Sequence, residues 1–196
     1  NEGRITEIYQ TDYFNNKLTS EELASVLILE ELSAEGIDKS NAGEEVTQDD
    51  YDKYEVTADK VRQYRIKGTW YFNKRLGELK YRLLGIAPVA ADVSTQKESK
   101  DVQENSLVEL FWVWFPDARE ELNTNKVFNN KNSSQPITFD MMLNSRRFNS
   151  TIYKEENVYE DRKVTDYIYE DALRQLLESE RIKSVIRDFE QDMWNN

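Results

Sequence analysis

The sequence contains neither cysteine nor histidine. Without cysteine the chain has no disulfide, no thiolate nucleophile and no cysteine-bound iron–sulfur cluster. Without histidine it has no imidazole general base, no Ser-His-Asp relay and no histidine-ligated zinc. The groups that remain for catalysis are carboxylates, lysine, tyrosine, serine and threonine, or a metal ion bound by oxygen ligands.

Glycine, proline and long apolar runs are also scarce. Six glycines and three prolines are scattered along the chain, and neither a Walker A motif nor a G-x-G-x-x-G motif occurs, so no phosphate-binding loop is predicted. No apolar run approaches the roughly 20 residues that a membrane-spanning helix needs. These absences give no sign of a bound cofactor, and they single out no catalytic or metal-binding residue.

Acidic and aromatic residues are plentiful. The chain of 196 residues has 38 acidic and 26 basic side chains, a net charge of −12, and 12% aromatic residues. Such an acidic surface repels phosphate, so a nucleic-acid partner is not expected. The aromatic content argues against a disordered acidic tail. The length favours a single domain over residues 1–196.

Hydrophobic periodicity predicts a single α+β domain with a mainly antiparallel sheet, a central apolar strand and covering helices. Alternating side chains predict a hairpin within residues 60–90 that ends near Pro88. Residues 107–115 are apolar on both faces apart from Glu109, which is typical of a central strand covered on each side. Helical spacing predicts helices after Thr19 and Thr138 and from about residue 165 onward.

Finer features follow from the same patterns. The first helix is expected to run from a Thr19–Glu22 capping box to Leu32. The last helix is expected to kink or to change its buried face between Leu177 and Ile182, because the apolar spacing changes register there. Residues 148–153 are a candidate strand.

Residues 33–56 and 92–106 are predicted to be mobile surface loops. The first of these loops is strongly acidic. Its Asp50-x-Asp52 start is similar to a calcium-binding loop, but Tyr54 stands where a third oxygen ligand is needed and the loop glycine is missing. A solvated acidic loop is therefore favoured over a calcium site.

Glu109 is the carboxylate that stands out, because it lies within an apolar strand. Burial would raise its pKa and make it a candidate general acid. The favoured interpretation is that Glu109 pairs with an arginine or lysine, since no pattern singles out the second carboxylate that a glycosidase requires.

Charge is segregated along the chain. Residues 60–82 contain eight basic residues and one acidic residue, a net charge of +7, which leaves −19 for the rest. On the predicted hairpin, Arg65, Lys67, Lys80 and Arg82 would share one face. This face is either a solvated surface with cross-strand ion pairs or a docking surface for an acidic partner, including a second copy of the chain. A head-to-tail contact between copies would repeat into a ring or a filament.

Four tyrosines in charged surroundings are further candidates for partner binding, because tyrosine is enriched at interface hot spots. They are Tyr153, Tyr159, Tyr167 and Tyr169.

Several long motifs of the chain resemble the GldN/PorN family of gliding-motility and type IX secretion proteins from Bacteroidota. The resemblance spans nearly the whole chain, and the segments 33–56 and 92–106 contribute little to it. The motifs that carry it lie at residues 2–6, 64–72, 78–89, 107–116, 152–162 and 187–194.

The resemblance implies a non-enzymatic periplasmic protein. Members of this family form a large ring with an outer-membrane lipoprotein of the GldK/PorK type, and they contact the periplasmic part of a motor-linked GldM/PorM protein. They also carry a signal peptide and a further N-terminal region, so the chain is expected to be the later part of such a protein. The resemblance brings no catalytic residue with it.

Two other classes of function remain open at this point. One is a carboxylate-dependent hydrolase of periplasmic glycan, which requires a concave pocket and a second acid near Glu109. The other is a small-ligand or calcium-binding module that uses the acidic residues 38–55.

Overall fold

The computed structural model describes residues 4–95, 107–129, 135–158, 161–169 and 171–194. Within these residues the chain is an α+β protein, as predicted, with six helices and a main antiparallel sheet. The helices are α1 (Ser20–Leu27), α2 (Ala34–Ala42), α3 (Phe115–Thr124), α4 (Phe139–Asn144), α5 (Val164–Tyr167) and α6 (Ala172–Trp194). The strands are β1 (Ile8–Tyr9), β2 (Ile28–Leu32), β3 (Tyr51–Glu55), β4 (Gln63–Asn73), β5 (Glu78–Ala91), β6 (Leu107–Glu109), β7 (Trp112–Trp114), β8 (Lys126–Val127) and β9 (Ile137–Thr138).

The main sheet has the strand order β1-β7-β5-β4, and β6 also pairs with β5. The register places Tyr9 opposite Trp112 and Val89 opposite Glu109. The predicted hairpin is confirmed as β4 and β5. Its turn depends on Gly77, whose positive φ of 63° suits glycine, and the Gly77 N–H donates to the carbonyl of Asn73 at 2.9 Å.

The predicted single strand over residues 107–115 is wrong in detail, because the segment forms two short strands, β6 and β7. Leu110 lies between them, buried in the core, and its N–H donates to the carbonyl of Pro88. Pro88 itself does not end its strand, since β5 continues to Ala91. Proline lacks an N–H but keeps its acceptor, so a strand can pass through it where only the carbonyl is needed.

The segment 33–56 is largely regular structure rather than the predicted loop. It contains α2 and β3, and β3 pairs antiparallel with β2 over five residue pairs. This pairing also corrects the end of the first helix, because α1 stops at Leu27 and β2 follows. The Thr19 capping box of α1 is confirmed. Residues 96–106 of the second predicted loop lie outside the described residues.

One prediction in the C-terminal half is also wrong, because residues 148–153 form no strand. Helix α6 runs continuously from Ala172 to Trp194, and the kink or change of face between Leu177 and Ile182 stays a prediction. The change of apolar register is accommodated at Ser179, which is buried and accepts a hydrogen bond from the Ile152 N–H at 2.6 Å. Ser179 thus occupies a buried position of α6 where an apolar side chain is expected, and its hydrogen bond to Ile152 satisfies the buried hydroxyl.

Backbone contacts divide the chain into two compact units. Unit 1 comprises Asn1–Gly68 and Leu83–Lys126, and unit 2 comprises Thr69–Arg82 and Val127–Asn196. The core of unit 1 contains a buried cluster of Val56, Ala90, Val93 and Leu110. In unit 2 the buried apolar residues among those described are Leu143, Val164 and Ile182. That residues 1–196 form one domain stays a prediction.

Gly85 shows how closely unit 1 is packed around its aromatic residues. A Cβ at this position would overlap the ring of Phe14 and lie 3.0 Å from the carbonyl oxygen of Val113. Phe14 in turn makes edge-on contacts with Trp112 and Trp114. The absence of a side chain at Gly85 lets these aromatic rings lie against β5.

Candidate protein-interaction surface

Arg65 and Lys67, two of the predicted docking cations, are engaged inside unit 1. Arg65 forms an ion pair with Glu109, and both side chains are about one-fifth exposed, at 22%. The Lys67 ammonium lies 3.4 Å from the Asp12 carboxylate and 4.7 Å from the centre of the Tyr13 ring. These two cations are therefore partly neutralised by their own unit.

Glu109 has the partner that its favoured interpretation required. Its carboxylate accepts a hydrogen bond from the Arg65 guanidinium and another, at 2.9 Å, from the indole N–H of Trp112. Both bonds hold Glu109 within the fold of unit 1, which is the structural role that the favoured interpretation gave it.

The other two predicted cations, Lys80 and Arg82, lie in unit 2. They belong to residues 69–82, which we call the hairpin tip. Lys80 pairs with Glu78 at 3.3 Å, whereas Arg82 is exposed and forms no ion pair within the described residues. Lys74 and Arg75 at the turn are also exposed and have no ion pair there. Arg65 and Lys67 thus belong to unit 1 and Lys80 and Arg82 to unit 2, and that the four share one face stays a prediction.

The hairpin tip also exposes apolar side chains. Tyr71, Phe72 and Leu76 of the hairpin tip are 44%, 46% and 52% exposed. Exposed aromatic residues next to arginine are typical of protein-binding surfaces, because both contribute strongly to interface hot spots. The sequence identified the charge of this region but not its exposed aromatic residues.

Arg146 in unit 2 is a further residue of interest that the sequence did not single out. Its guanidinium carbon lies 4.8 Å from the centre of the Trp70 ring and 5.7 Å from that of Tyr81. The two rings are in contact, with centres 5.3 Å apart. Burial raises the pKa of Tyr81, while the Arg146 charge opposes that rise. The sequence gives only a weak indication of Arg146. Two arginines, and no glycine, stand where the chain leaves α4.

The candidate tyrosines have different environments in unit 2. Tyr153 is half-buried, whereas Tyr167 and Tyr169 are 40% and 80% exposed. The Tyr167 hydroxyl donates to Glu178 at 3.3 Å, and burial followed by the Glu178 charge raises its pKa. Tyr159 lies outside the described residues.

In the acidic segment 33–56, the buried carboxylate of Asp50 binds neighbouring residues of the same segment. Asp50 is 4% exposed, and it accepts hydrogen bonds from the Lys39 ammonium at 2.5 Å and the Thr47 N–H at 2.8 Å. The Lys39 bond, followed by the Thr47 backbone bond, lowers the pKa of Asp50 to about 2. Among the described residues, no group of three or more acidic side chains is placed to hold a metal ion.

Comparison of the sequence with known protein families shows which family the chain belongs to. The sequence matches the family described as gliding motility associated protein GldN over residues 1–195. The chain belongs to the GldN family. No curated protein matches this GldN-family chain. None of the helices in the described ranges is both long and apolar enough to cross a membrane.

Proposed function

We propose that this gliding-motility-associated protein is a non-enzymatic structural subunit of the type IX secretion and gliding machinery. It forms a periplasmic ring with an outer-membrane lipoprotein of the GldK/PorK type, associates with further copies of itself in that ring, and contacts a GldM/PorM-type periplasmic domain. Membership of the GldN family supports the coarser part of this proposal, the link to gliding motility.

The observation that carries the proposal is the hairpin tip. Lys74, Arg75 and Arg82 are exposed and have no ion pair within the described part of the chain, on a protein whose net charge is −12. Cations that a protein leaves unpaired beside exposed aromatic residues are suited to an acidic protein partner, because both charge and apolar area are then buried on binding. The hairpin tip is therefore the surface that we assign to the lipoprotein partner.

Charge reversal tests this assignment. The triple variant Lys74→Glu, Arg75→Glu, Arg82→Glu should lose co-purification with the lipoprotein at physiological salt, and rings should disappear from electron micrographs of the purified complex. The expected loss is at least about tenfold in recovered partner, because three like charges then face the acidic surface.

A matched control keeps the same change in net charge. Lys53, Lys126 and Arg187 are exposed and lie outside the hairpin tip, so their reversal to Glu should leave the lipoprotein bound. Circular dichroism of both variants shows whether the fold is kept. Equal recovery of the partner by the two variants would remove the hairpin tip from the proposal.

The proposed location has its own test. In cells that produce the protein, release by osmotic shock together with protection from external protease indicates the periplasm. Loss of the lipoprotein should move the protein from the outer-membrane fraction to the soluble periplasmic fraction. Recovery with cytoplasmic markers would contradict the proposal.

A further inference from the structure

Unit 2 contains an open cleft lined by the start of β5, the C-terminal end of α4 with the residues after it, and α6. It has a volume of about 360 Å³, and its lining includes Lys80, Tyr81, Arg146 and Glu190. Arg146 supplies the wall that lies over Trp70 and Tyr81. The lining of the cleft thus combines the Tyr81 ring with the Arg146 guanidinium, which also contacts Trp70.

The backbone fixes the position of Arg146. The residue has a φ of 53°, in the left-handed region, immediately after the end of α4. Its N–H donates to the carbonyl of Leu143 at 3.1 Å, and the N–H of Arg147 donates to that of Met142 at 3.0 Å. These two bonds form a Schellman motif, in which this position is usually glycine. The position of Arg146 is therefore fixed both by these backbone bonds and by the contact of its guanidinium with the Trp70 ring.

The guanidinium of Arg146 keeps its donors available. Within the described residues its side chain stacks on aromatic rings but donates no hydrogen bond and forms no ion pair. A stacked guanidinium presents its N–H groups at the edge of the plane, in the fork that matches a carboxylate. Two N–H groups can therefore bind one carboxylate without rearrangement of the stack.

Acidic residues in the cleft restrict the charge of its occupant. Glu190 lines the cleft and has no ion pair within the described residues, and Glu78 is already paired with Lys80. A monoanion gains the Arg146 fork at the cost of modest repulsion from Glu190. A phosphate dianion would meet about twice that repulsion.

We propose that the Arg146 cleft is a binding subsite for a single carboxylate of an acidic partner protein. Arg146 binds the carboxylate in bidentate fashion, and Trp70 and Tyr81 hold the guanidinium in place. The identity of the partner rests on the proposed function, whereas the subsite itself does not. The carboxylate comes from an Asp or Glu side chain or from the C-terminus of the partner.

Peptide titration of the whole 196-residue chain tests the subsite. The probes are N-acetyl-Gly-Gly-Glu-amide, which carries a side-chain carboxylate, N-acetyl-Gly-Gly-Gly with a free C-terminus, and N-acetyl-Gly-Gly-Gln-amide as a neutral control. NMR follows the Trp70 indole N–H and the Arg146 Nε–H. Either or both carboxylate peptides should shift these two signals, and the difference between them identifies the source of the carboxylate. The neutral peptide should shift neither signal.

Variants assign the effect to Arg146. Arg146→Gly should weaken binding at least about tenfold while its backbone conformation is kept, since glycine is the usual residue here. Arg147→Ala, at the exposed neighbouring position, should bind like the parent. Glu190→Gln should bind more tightly, because a like charge is removed. Weaker binding by Glu190→Gln, or tighter binding of inorganic phosphate than of the peptides, would overturn the assignment of a carboxylate.

Two further outcomes separate this inference from the proposed function. If neither carboxylate peptide shifts the Trp70 signal, the subsite is wrong, and reversal of the hairpin-tip cations still tests the proposed function independently. If Arg146→Gly loses peptide binding and also weakens co-purification of the lipoprotein, the inference is supported. If it loses the peptides but recovers the lipoprotein fully, the partner is not the occupant of the cleft and the inference fails.

Discussion

Arg146 occupies a backbone position that glycine usually fills. A non-glycine residue in the left-handed region costs roughly 1 kcal/mol or more, because its Cβ crowds the following carbonyl. Stacking of an exposed guanidinium on aromatic rings returns about 0.5–1 kcal/mol. The two contributions nearly cancel, so the folding energy alone gives little reason for an arginine at this position. A binding role supplies one.

These opposing contributions make a prediction about stability. Arg146→Ala keeps the left-handed backbone and loses the stacking, whereas Arg146→Gly loses the stacking and relieves the backbone. The glycine variant should therefore be more stable than the alanine variant by about 0.5–1 kcal/mol in urea unfolding. An alanine variant at least as stable as the glycine variant would show that the position carries no strain. Circular dichroism of both variants provides the control for folding.

Among the secondary-structure elements, α2 and β3 are held together by one buried carboxylate. Asp50 is the last residue of a short 3₁₀ turn, Gln48–Asp50, and it accepts hydrogen bonds from Lys39 of α2 and from the Thr47 N–H. Next to it, an added Cβ at Gly36 would lie 3.1 Å from the Asp50 side chain, so α2 passes close by. We call this contact between α2 and the Asp50 turn the junction. It is stronger when Asp50 is ionised, because the carboxylate then accepts the bonds from Lys39 and Thr47.

The pH dependence of this junction follows from the direction of the shift. In the folded chain the pKa of Asp50 is lowered from 3.8 to about 2 by Lys39 and Thr47. The unfolded chain therefore binds the proton more readily, and the stabilisation is present above about pH 4 and is lost as the pH falls toward about 2. Asp50→Asn should lower the melting temperature at pH 7, and the difference from the parent should shrink between about pH 4 and pH 2.

Thermal unfolding of the parent and of Asp50→Asn at several pH values measures this effect. Asp52→Asn is the matched control, because Asp52 is exposed on β3, and its melting temperature should follow that of the parent. A difference between Asp50→Asn and the parent that stays constant across the pH range would contradict the role of the Asp50 charge.

The whole molecule separates its charge along the sequence. Residues 60–82 carry +7 and the remainder carries −19. Part of this positive charge is neutralised within unit 1 by Glu109 and Asp12. In unit 2 the exposed cations of the hairpin tip keep their charge available to a partner. Complementary charge mainly accelerates association and is screened by salt.

Binding kinetics at different salt concentrations test this property. Between about 50 mM and about 500 mM salt, the association rate with the lipoprotein should fall about tenfold or more, whereas the dissociation rate should change less. Reversal of Lys53, Lys126 and Arg187 should keep this salt dependence. An association rate that is independent of salt would show that charge does not guide the encounter.

The sequence correctly predicted the elements that depend on residues close to one another in the chain. The Thr19 and Thr138 caps lie within three residues of the N–H groups that they accept from, and both were found. The hairpin was found because its alternation and turn are continuous in sequence. The segment 28–32 was missed, because its strand conformation depends on pairing with residues 51–55. A short apolar segment fits the pattern of a helix as well as that of a strand, and the choice is made only by pairing with a strand that is distant in the sequence.

By itself, the sequence determined the absence of cysteine and histidine chemistry, the α+β class, the excess of positive charge in residues 60–82 and the resemblance to the GldN family. Only the tertiary structure decided which of those cations are available. Arg65 is paired by Glu109, which is 44 residues away, while Arg82 has no ion pair within the described residues. An ion pair requires two side chains to lie within about 4 Å in space, and folding alone brings such distant residues together.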